Sequence, residues 1–204
     1  MIKLFLADIR SVNPEHIYEI SKERADKIRR LKMPDDKKRC IAGGLLINHF
    51  LNGAKISVNE FGKPVADNGK YFNISHSGDY VLFVLSDSEI GCDIEKIHYA
   101  NIERIGKKVF CDNEMQEIIS ASDRQTAFFD LWTRKESLLK CIGEGFHRKA
   151  KSVDVSCKVY KENEICYYLK TWHFADYTVS VCSEKNDFPI YIEFINLKNK
   201  TRQM

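Results

Sequence analysis

Between Gly91 and Gly145, two acid-rich segments carry residue types that together can hold a metal ion and a phosphate. The first is Gly91-Cys92-Asp93-Ile94-Glu95. Apolar residues alternate with acids there after Ile90, as in a strand, so Asp93 and Glu95 project from one face. The second is Trp132-Thr133-Arg134-Lys135-Glu136-Ser137-Leu138-Leu139-Lys140, closing with Gly143-Glu144-Gly145. Glu136 and Lys140 stand four apart on a predicted helix and share a face. Three carboxylates and an ammonium suit a hard cation that keeps some of its waters and also holds substrate phosphates, which describes magnesium better than zinc. Such a set points to chemistry at a phosphate ester or anhydride.

Each segment also has a duller reading. A lone D-x-E is commonly the solvent face of an amphipathic edge strand, and Glu136 with Lys140 is by itself a surface pair worth a few tenths of a kcal/mol. Against this, Ile90, Cys92, Ile94 and Ile97 frame the first acids with apolar residues. Burying two like charges is costly unless a cation or a proton intervenes. Phe128, Phe129, Leu131, Trp132, Leu138 and Leu139 make the second segment apolar over much of its girth. Ser75-His76-Ser77-Gly78 reads as a hairpin turn whose two hydroxyls and imidazole also suit phosphate oxygens. The run Arg24, Lys27, Arg29, Arg30, Lys32, Lys37, Lys38 and Arg39 is either a solvated helix face or the seat of a phosphate-rich ligand.

The elements that must position these residues are predicted from periodicity. Residues 2–8 read as a buried strand, 15–32 as a helix closed by Pro34, and 36–51 as a helix capped at Asp35-Asp36. Residues 71–74 and 80–85 are strand-like, with 75–79 as the turn between them. Helices are predicted at about 101–120 and at 124–142, then strands at 151–159, 164–171, 177–183 and 191–197, with a polar end from Lys198 to Met204. Asp79-Tyr80-Val81-Leu82-Phe83-Val84-Leu85-Ser86 is answered 97 residues later by Asp176-Tyr177-Thr178-Val179-Ser180-Val181-Cys182-Ser183, which suggests two similar α+β halves.

Composition narrows the class. The chain has 204 residues and is 44% apolar with twelve Phe and nine Tyr, enough for a packed core. A net charge of +3 is too mild to argue for nucleic acid. Seven scattered cysteines without a C-x-x-C pair argue against a disulfide framework and a zinc site. The apolar run at the N-terminus is too short for a signal peptide, and no stretch approaches a membrane span. The expectation is a cytoplasmic protein.

The ordered set Phe61-Gly62-Lys63-Pro64, Phe72-Asn73-Ile74-Ser75-His76-Ser77-Gly78, Gly91-Cys92-Asp93-Ile94-Glu95 and Trp132-Thr133-Arg134-Lys135-Glu136…Lys140…Gly143-Glu144-Gly145 closely resembles the 4′-phosphopantetheinyl transferases. Within that family it is similar to the branch that activates peptide synthetases such as surfactin synthetase. The resemblance runs from about Arg24 to Gly145; Cys92 departs from the usual aliphatic residue. It implies a pseudo-dimer of two α+β halves, residues 1–98 and 99–204, with the active site in the cleft between them. It also implies coenzyme A, Mg²⁺ and an acyl or peptidyl carrier protein. The family's shorter branch is about one such half and assembles as a trimer, so the length of this chain implies a monomer.

The implied reaction is attack by a carrier-protein serine on the β-phosphate of coenzyme A, releasing 3′,5′-ADP. By resemblance, Asp93, Glu95 and Glu136 hold Mg²⁺, Glu136 is the candidate base, directly or through water, and Lys140 steadies the leaving phosphate. Ser75 and His76, with Lys27 and Arg39, hold the phosphates of coenzyme A, and Lys63-Pro64 lines the adenine side. Fatty acid, polyketide and nonribosomal peptide (antibiotic) synthesis remain equally open as pathways. The alternatives are a Mg²⁺-dependent nuclease or phosphohydrolase and a basic nucleic-acid-binding module. Nucleases of the D…E-x-K type need Lys where this chain has Ile97, and a binding module leaves the three acids unexplained.

Overall fold

Side-chain alternation decides the layering. In β1 (Lys3–Asp8), Phe5 and Ala7 point to one side and Leu4 and Leu6 to the other, and all four are buried. Phe5 and Ala7 meet Ile41, Ala42 and Leu46 of α2 (Pro34–Phe50). Leu4 and Leu6 meet Ile90, Cys92 and Ile94 of β6 (Ile90–Lys96) and Val179 and Val181 of β9 (Tyr177–Ser183). Two sheets therefore pack face to face, and helices cover the outer side of each.

The computed structural model describes residues 1–143 and 149–199. The first sheet has the order β10 (Glu193–Ile195), β1, β5 (Tyr80–Ser86), β4 (Tyr71–Ser77). The second has the order β6, β9, β8 (Ile165–Phe174), β7 (Val159–Glu162). β2 (Ile56–Val58) and β3 (Pro64–Ala66) form a small separate hairpin. α1 (Lys22–Arg30) precedes α2; α3 (Ile102–Val109), α4 (Asp112–Ser120) and α5 (Arg124–Ile142) follow β6. The architecture is α+β, as the sequence predicts. Among the described residues no helix is long and apolar enough to cross a membrane.

Several predicted boundaries shift for local reasons. Residues 14–19 form a 3₁₀ turn, and α1 starts afresh at Ser21, whose hydroxyl accepts the Arg24 N–H. Pro34 opens α2 rather than closing the preceding segment, since its missing N–H and fixed φ suit a first helical position. The segment at 101–120 is two helices. Phe110 is extended and fully buried, and Glu114 folds back to accept the Cys111 N–H, capping α4. Residues 151–159 are not a strand; a 3₁₀ turn occupies 150–152 and β7 begins at Val159. Of the predicted polar end, residues 200–204 lie outside the described residues.

The correction that bears on chemistry is at residues 75–77. These belong to β4, and the turn is Gly78-Asp79 alone. It is fixed from afar: Arg39 donates to the Gly78 carbonyl at 2.6 Å and the Tyr177 hydroxyl accepts the Asp79 N–H at 3.0 Å. Gly78 has φ +52, and a Cβ there would lie 2.2 Å from the Tyr177 hydroxyl, so only glycine fits.

Candidate active site

Gly91 lets the two acid-rich segments meet. A Cβ at Gly91 would lie 2.2 Å from the Ser137 carbonyl oxygen and 2.3 Å from the Cys141 nitrogen, so its absence seats α5 directly on β6. Along β6, Ile90, Cys92 and Ile94 enter the core between the sheets, leaving Asp93 and Glu95 for the opposite face. Asp123 caps the start of α5, accepting the Gln125 and Thr126 N–H groups, and Gly143 ends it with φ +83. Within that frame Trp132, Glu136 and Lys140 line one cavity with Ser75, His76, Asp93 and Glu95. Its volume is about 480 Å³. The structure thus brings together the predicted Asp93, Glu95, Glu136, Lys140, Ser75 and His76.

At the centre Lys140 donates to Asp93 Oδ1 at 2.6 Å and to Ser75 Oγ at 3.2 Å, while Ser75 donates to the same Asp93 oxygen at 2.7 Å. Asp93 Oδ2 is buried and has no hydrogen-bond partner. An orphaned carboxylate oxygen is expensive to bury. Burial raises the pKa values of Glu95 and Glu136, opposed by the Ser77 hydroxyl for Glu95 and by Lys140 for Glu136, and the Asp93 charge raises both further. Burial works against the charged form of Lys140, yet the Asp93 carboxylate overrides it and holds the ammonium above its usual range. Partial desolvation by the groove walls and the Arg39 guanidinium push His76 down although the residue faces solvent, so its imidazole is neutral near pH 7.

A second cavity, also about 480 Å³, shares Ile74, His76 and Lys140 with the first, and the two form one groove. Lys63 and Pro64 line it with Phe61 and Arg24. Lys63 is already engaged there, donating to Glu89 at 2.5 Å and to the Cys141 carbonyl at 2.8 Å. Lys27 is exposed and lines neither cavity. Arg24, three residues earlier, does so, its side chain crossing Gly44 and then Gly43 of α2 so that the guanidinium reaches the Cys40 carbonyl. The sequence gives no register for α1 until Ser21 is known to cap it, which is why Arg24 stands there only as one of a basic run. Arg39 is bound to Gly78 and, at 2.6 Å, to Asp36. Glu144 and Gly145 of the second motif lie outside the described residues.

Proximity alone would select a different place. Among the described residues, the ligand atoms of Cys111, Glu114 and Asp154 lie within 4.8 Å of one another. That group already contains a cation, since Lys135 pairs with Glu114 at 2.8 Å. In the cavity, by contrast, Lys140 pairs with Asp93 at 2.6 Å and leaves that acid's second oxygen without a partner.

Residues 89–192 match the family model of the 4′-phosphopantetheinyl transferase superfamily. The chain is 30% identical over 205 residues to 4′-phosphopantetheinyl transferase gsp of Aneurinibacillus migulanus, covering 90% of this chain and 86% of the relative. It is also 30% identical over 198 residues to 4′-phosphopantetheinyl transferase Sfp of Bacillus subtilis (strain 168), covering 87% and 88% respectively. A shorter match, 37% over 114 residues, reaches 4′-phosphopantetheinyl transferase AcpT of Escherichia coli (strain K12), covering 52% of this chain and 58% of the relative. A solved holo-[acyl-carrier-protein] synthase from Thermotoga maritima aligns with 47% of this chain and 61% of its own at 13% identity. Its TM-score of 0.38 is too slight to carry an argument.

Proposed function

We propose a mechanism from the premise that this chain belongs to the 4′-phosphopantetheinyl transferase superfamily. The protein is a transferase that moves the phosphopantetheine group of coenzyme A to a serine of an acyl or peptidyl carrier protein, releasing 3′,5′-ADP. The groove described above is the site we assign to that reaction.

The observation that carries the assignment is Asp93 Oδ2, a buried carboxylate oxygen without a partner in a cavity that holds two more acids. Lys140 supplies one positive charge against three carboxyl groups. The donor set fits a hard divalent cation, and Mg²⁺ takes oxygen ligands of this kind together with phosphate oxygens. Asp93, Glu95 and Glu136 would hold it. When bound, it would neutralise charge on the pyrophosphate.

The remaining chemistry belongs to the chain. Glu136 takes the proton of the attacking serine, directly or through a water, from its place on the cavity wall beside Asp93, Glu95 and Lys140. Lys140, held by Asp93 and Ser75, is aimed to bind the departing phosphate as its charge grows. Arg24 and His76 line the groove and supply donors for the phosphates of coenzyme A, and Phe61 with Pro64 forms a wall for adenine; Arg39 lines neither cavity and would join them from its place at the Gly78 turn beside His76. The exposed Lys27 serves at most from the rim.

The paired halves give the groove its place. The β4–β5 and β8–β9 hairpins share the 97-residue offset, and each turns through a residue of positive φ, Gly78 at +52 and Ala175 at +47. This supports a pseudo-dimer with its cleft between β4 on one side and β6 with α5 on the other, sufficient as a monomer. β6 pairs with β9 and β10 returns to β1, so hydrogen bonds tie 1–98 to 99–204.

Intact-mass spectrometry tests the reading. Apo-carrier proteins incubated with this protein, coenzyme A and Mg²⁺ should gain the mass of one phosphopantetheine group, and chelation should stop the gain. If every carrier tested keeps its apo mass, the assignment of the groove fails.

A further inference from the structure

β4 and β6 lie side by side at the edges of two different sheets, with no strand pairing between them. Three alternate side chains of β4 make the connection instead. Asn73 Oδ1 accepts the Cys92 N–H at 3.2 Å, and Ser75 Oγ donates to Asp93 at 2.7 Å. Ser77 Oγ donates to Glu95 Oε2 at 2.7 Å while accepting the Lys96 N–H at 3.0 Å. The first of these bonds serves the backbone and the second serves an acid that Lys140 also holds. Ser77 is different, because Lys140 reaches Asp93 and not Glu95.

Glu95 is the longest reach among the acids of β6. Its side chain is only partly buried, at the end of the strand, and it has one more rotatable bond than Asp93. A carboxylate so placed has many orientations, of which few face the cavity. The backbone N–H of Lys96 fixes the Ser77 hydroxyl, leaving its proton to point at Glu95 Oε2. One carboxylate oxygen is thereby tied and the other is left for the cavity.

Resting on the metal-site reading above, we propose that Ser77 is a positioning residue. Its hydroxyl orients Glu95 as a metal ligand and sets how tightly the divalent ion is held. It plays no part as a phosphate cradle and touches no reacting atom. Partners that orient a metal ligand typically change metal affinity by roughly 10- to 100-fold when removed.

The test uses Mn²⁺ as the probe, titrated into the full-length protein with coenzyme A present and followed by the paramagnetic signal of free Mn²⁺. Ser77→Ala should weaken Mn²⁺ binding by roughly 10- to 100-fold, and Ser77→Thr, which keeps the hydroxyl, should restore most of it. In a Glu95→Gln background the Ser77→Ala change should add little, because the group it orients has lost its charge. If Ser77→Ala weakens binding equally in both backgrounds, the residue acts only through the Lys96 amide and the proposal is overturned. It is likewise overturned if Ser77→Ala binds Mn²⁺ like wild type while Glu95→Gln does not. Wild-type affinity in Glu95→Gln itself would instead remove Glu95 from the metal site, and the broader reading would fail first.

Discussion

Two lysines on α5 each face a buried carboxylate, and the two pairs have opposite characters. Lys135 donates to Glu114 at 2.8 Å and to the carbonyls of Ala150 and Val153 at 3.0 and 2.6 Å, using all three ammonium protons. Glu114 in turn accepts the N–H groups of Cys111 and Val155. Side-chain exposure there is 1% and 0%. Lys140 donates to Asp93 at 2.6 Å, but its side chain is 30% exposed to the groove and Asp93 keeps one oxygen unpartnered. The first pair is closed and fastens α4 and the segment at 150–153 to α5. The second is open by one acceptor, and a ligand has something to complete. Spacing of charges does not separate the two; the state of their hydrogen-bonding capacity does.

The largest effect should come from removing the open acid. Asp93→Ala should abolish transfer to a carrier protein, with excess Mg²⁺ restoring little, and leave the fold intact, since it also removes repulsion from Glu95 and Glu136. Near-normal turnover by a folded Asp93→Ala protein would erase the distinction. The closed pair should respond in the opposite currency. Lys135→Met strands Glu114 as a buried, unpaired charge and should cost about 3–5 kcal/mol by urea denaturation. Lys140→Met also takes the cation from a buried acid, but the groove gives Asp93 access to water and a proton and Ser75 still donates to it, so the stability loss should be clearly smaller than for Lys135→Met while transfer is lost. Similar stability losses in both variants would show that Lys140 is structural too.

Much of this was legible in the sequence, for identifiable reasons. Alternation around Ile90, Cys92 and Ile94 announced β6 and its acid face, and 124–142 was legible from the apolar girth that Phe128, Phe129, Leu131, Trp132, Leu138 and Leu139 give it. What was not legible depends on partners far along the chain. Ser75 to Ser77 looks like a turn by composition; Arg39 and Tyr177 confine the turn to two residues. Lys135 reads as one more basic residue of a motif until Glu114 and residues 150–153 are seen around it.

Arg39 stands between the two extremes. It is tied to the Gly78 carbonyl and to Asp36, yet Asp36 is itself half exposed and free to yield. If Arg39 belongs with the open group, Arg39→Ala should reduce use of coenzyme A and spare dephospho-coenzyme A. The preference should shrink by about 1.5–3 kcal/mol, the usual worth of a charge-assisted bond. If it belongs with the closed group, the variant should lose thermal stability and handicap both donors equally, because the turn that seats β4 on Tyr177 would loosen.

The smallest effect is a matter of protons. His76 is neutral in the free protein near pH 7, since partial desolvation and the neighbouring cations Arg39 and Lys140 lower its pKa, opposed by a backbone hydrogen bond and, more weakly, by Asp36. In the unfolded chain it titrates near 6.5. The unfolded state therefore takes up a proton that the native state refuses as pH falls through 6.5, and stability should decline toward acid through this group, flattened in His76→Gln. A 3′-phosphate seated beside His76 reverses the sense. Its negative charge raises the imidazole pKa, so binding takes up a proton and strengthens as pH falls, by at most about tenfold per pH unit. The preference for coenzyme A over dephospho-coenzyme A should grow between pH 8 and about 6.5, above the range where the phosphate itself gains a proton at roughly pH 6. Subtracting the His76→Gln profile removes whatever part of that growth the phosphate supplies. A preference that stays level across this window in the wild type would detach His76 from the 3′-phosphate and leave its neutral imidazole as a solvent-facing neighbour of the open pair.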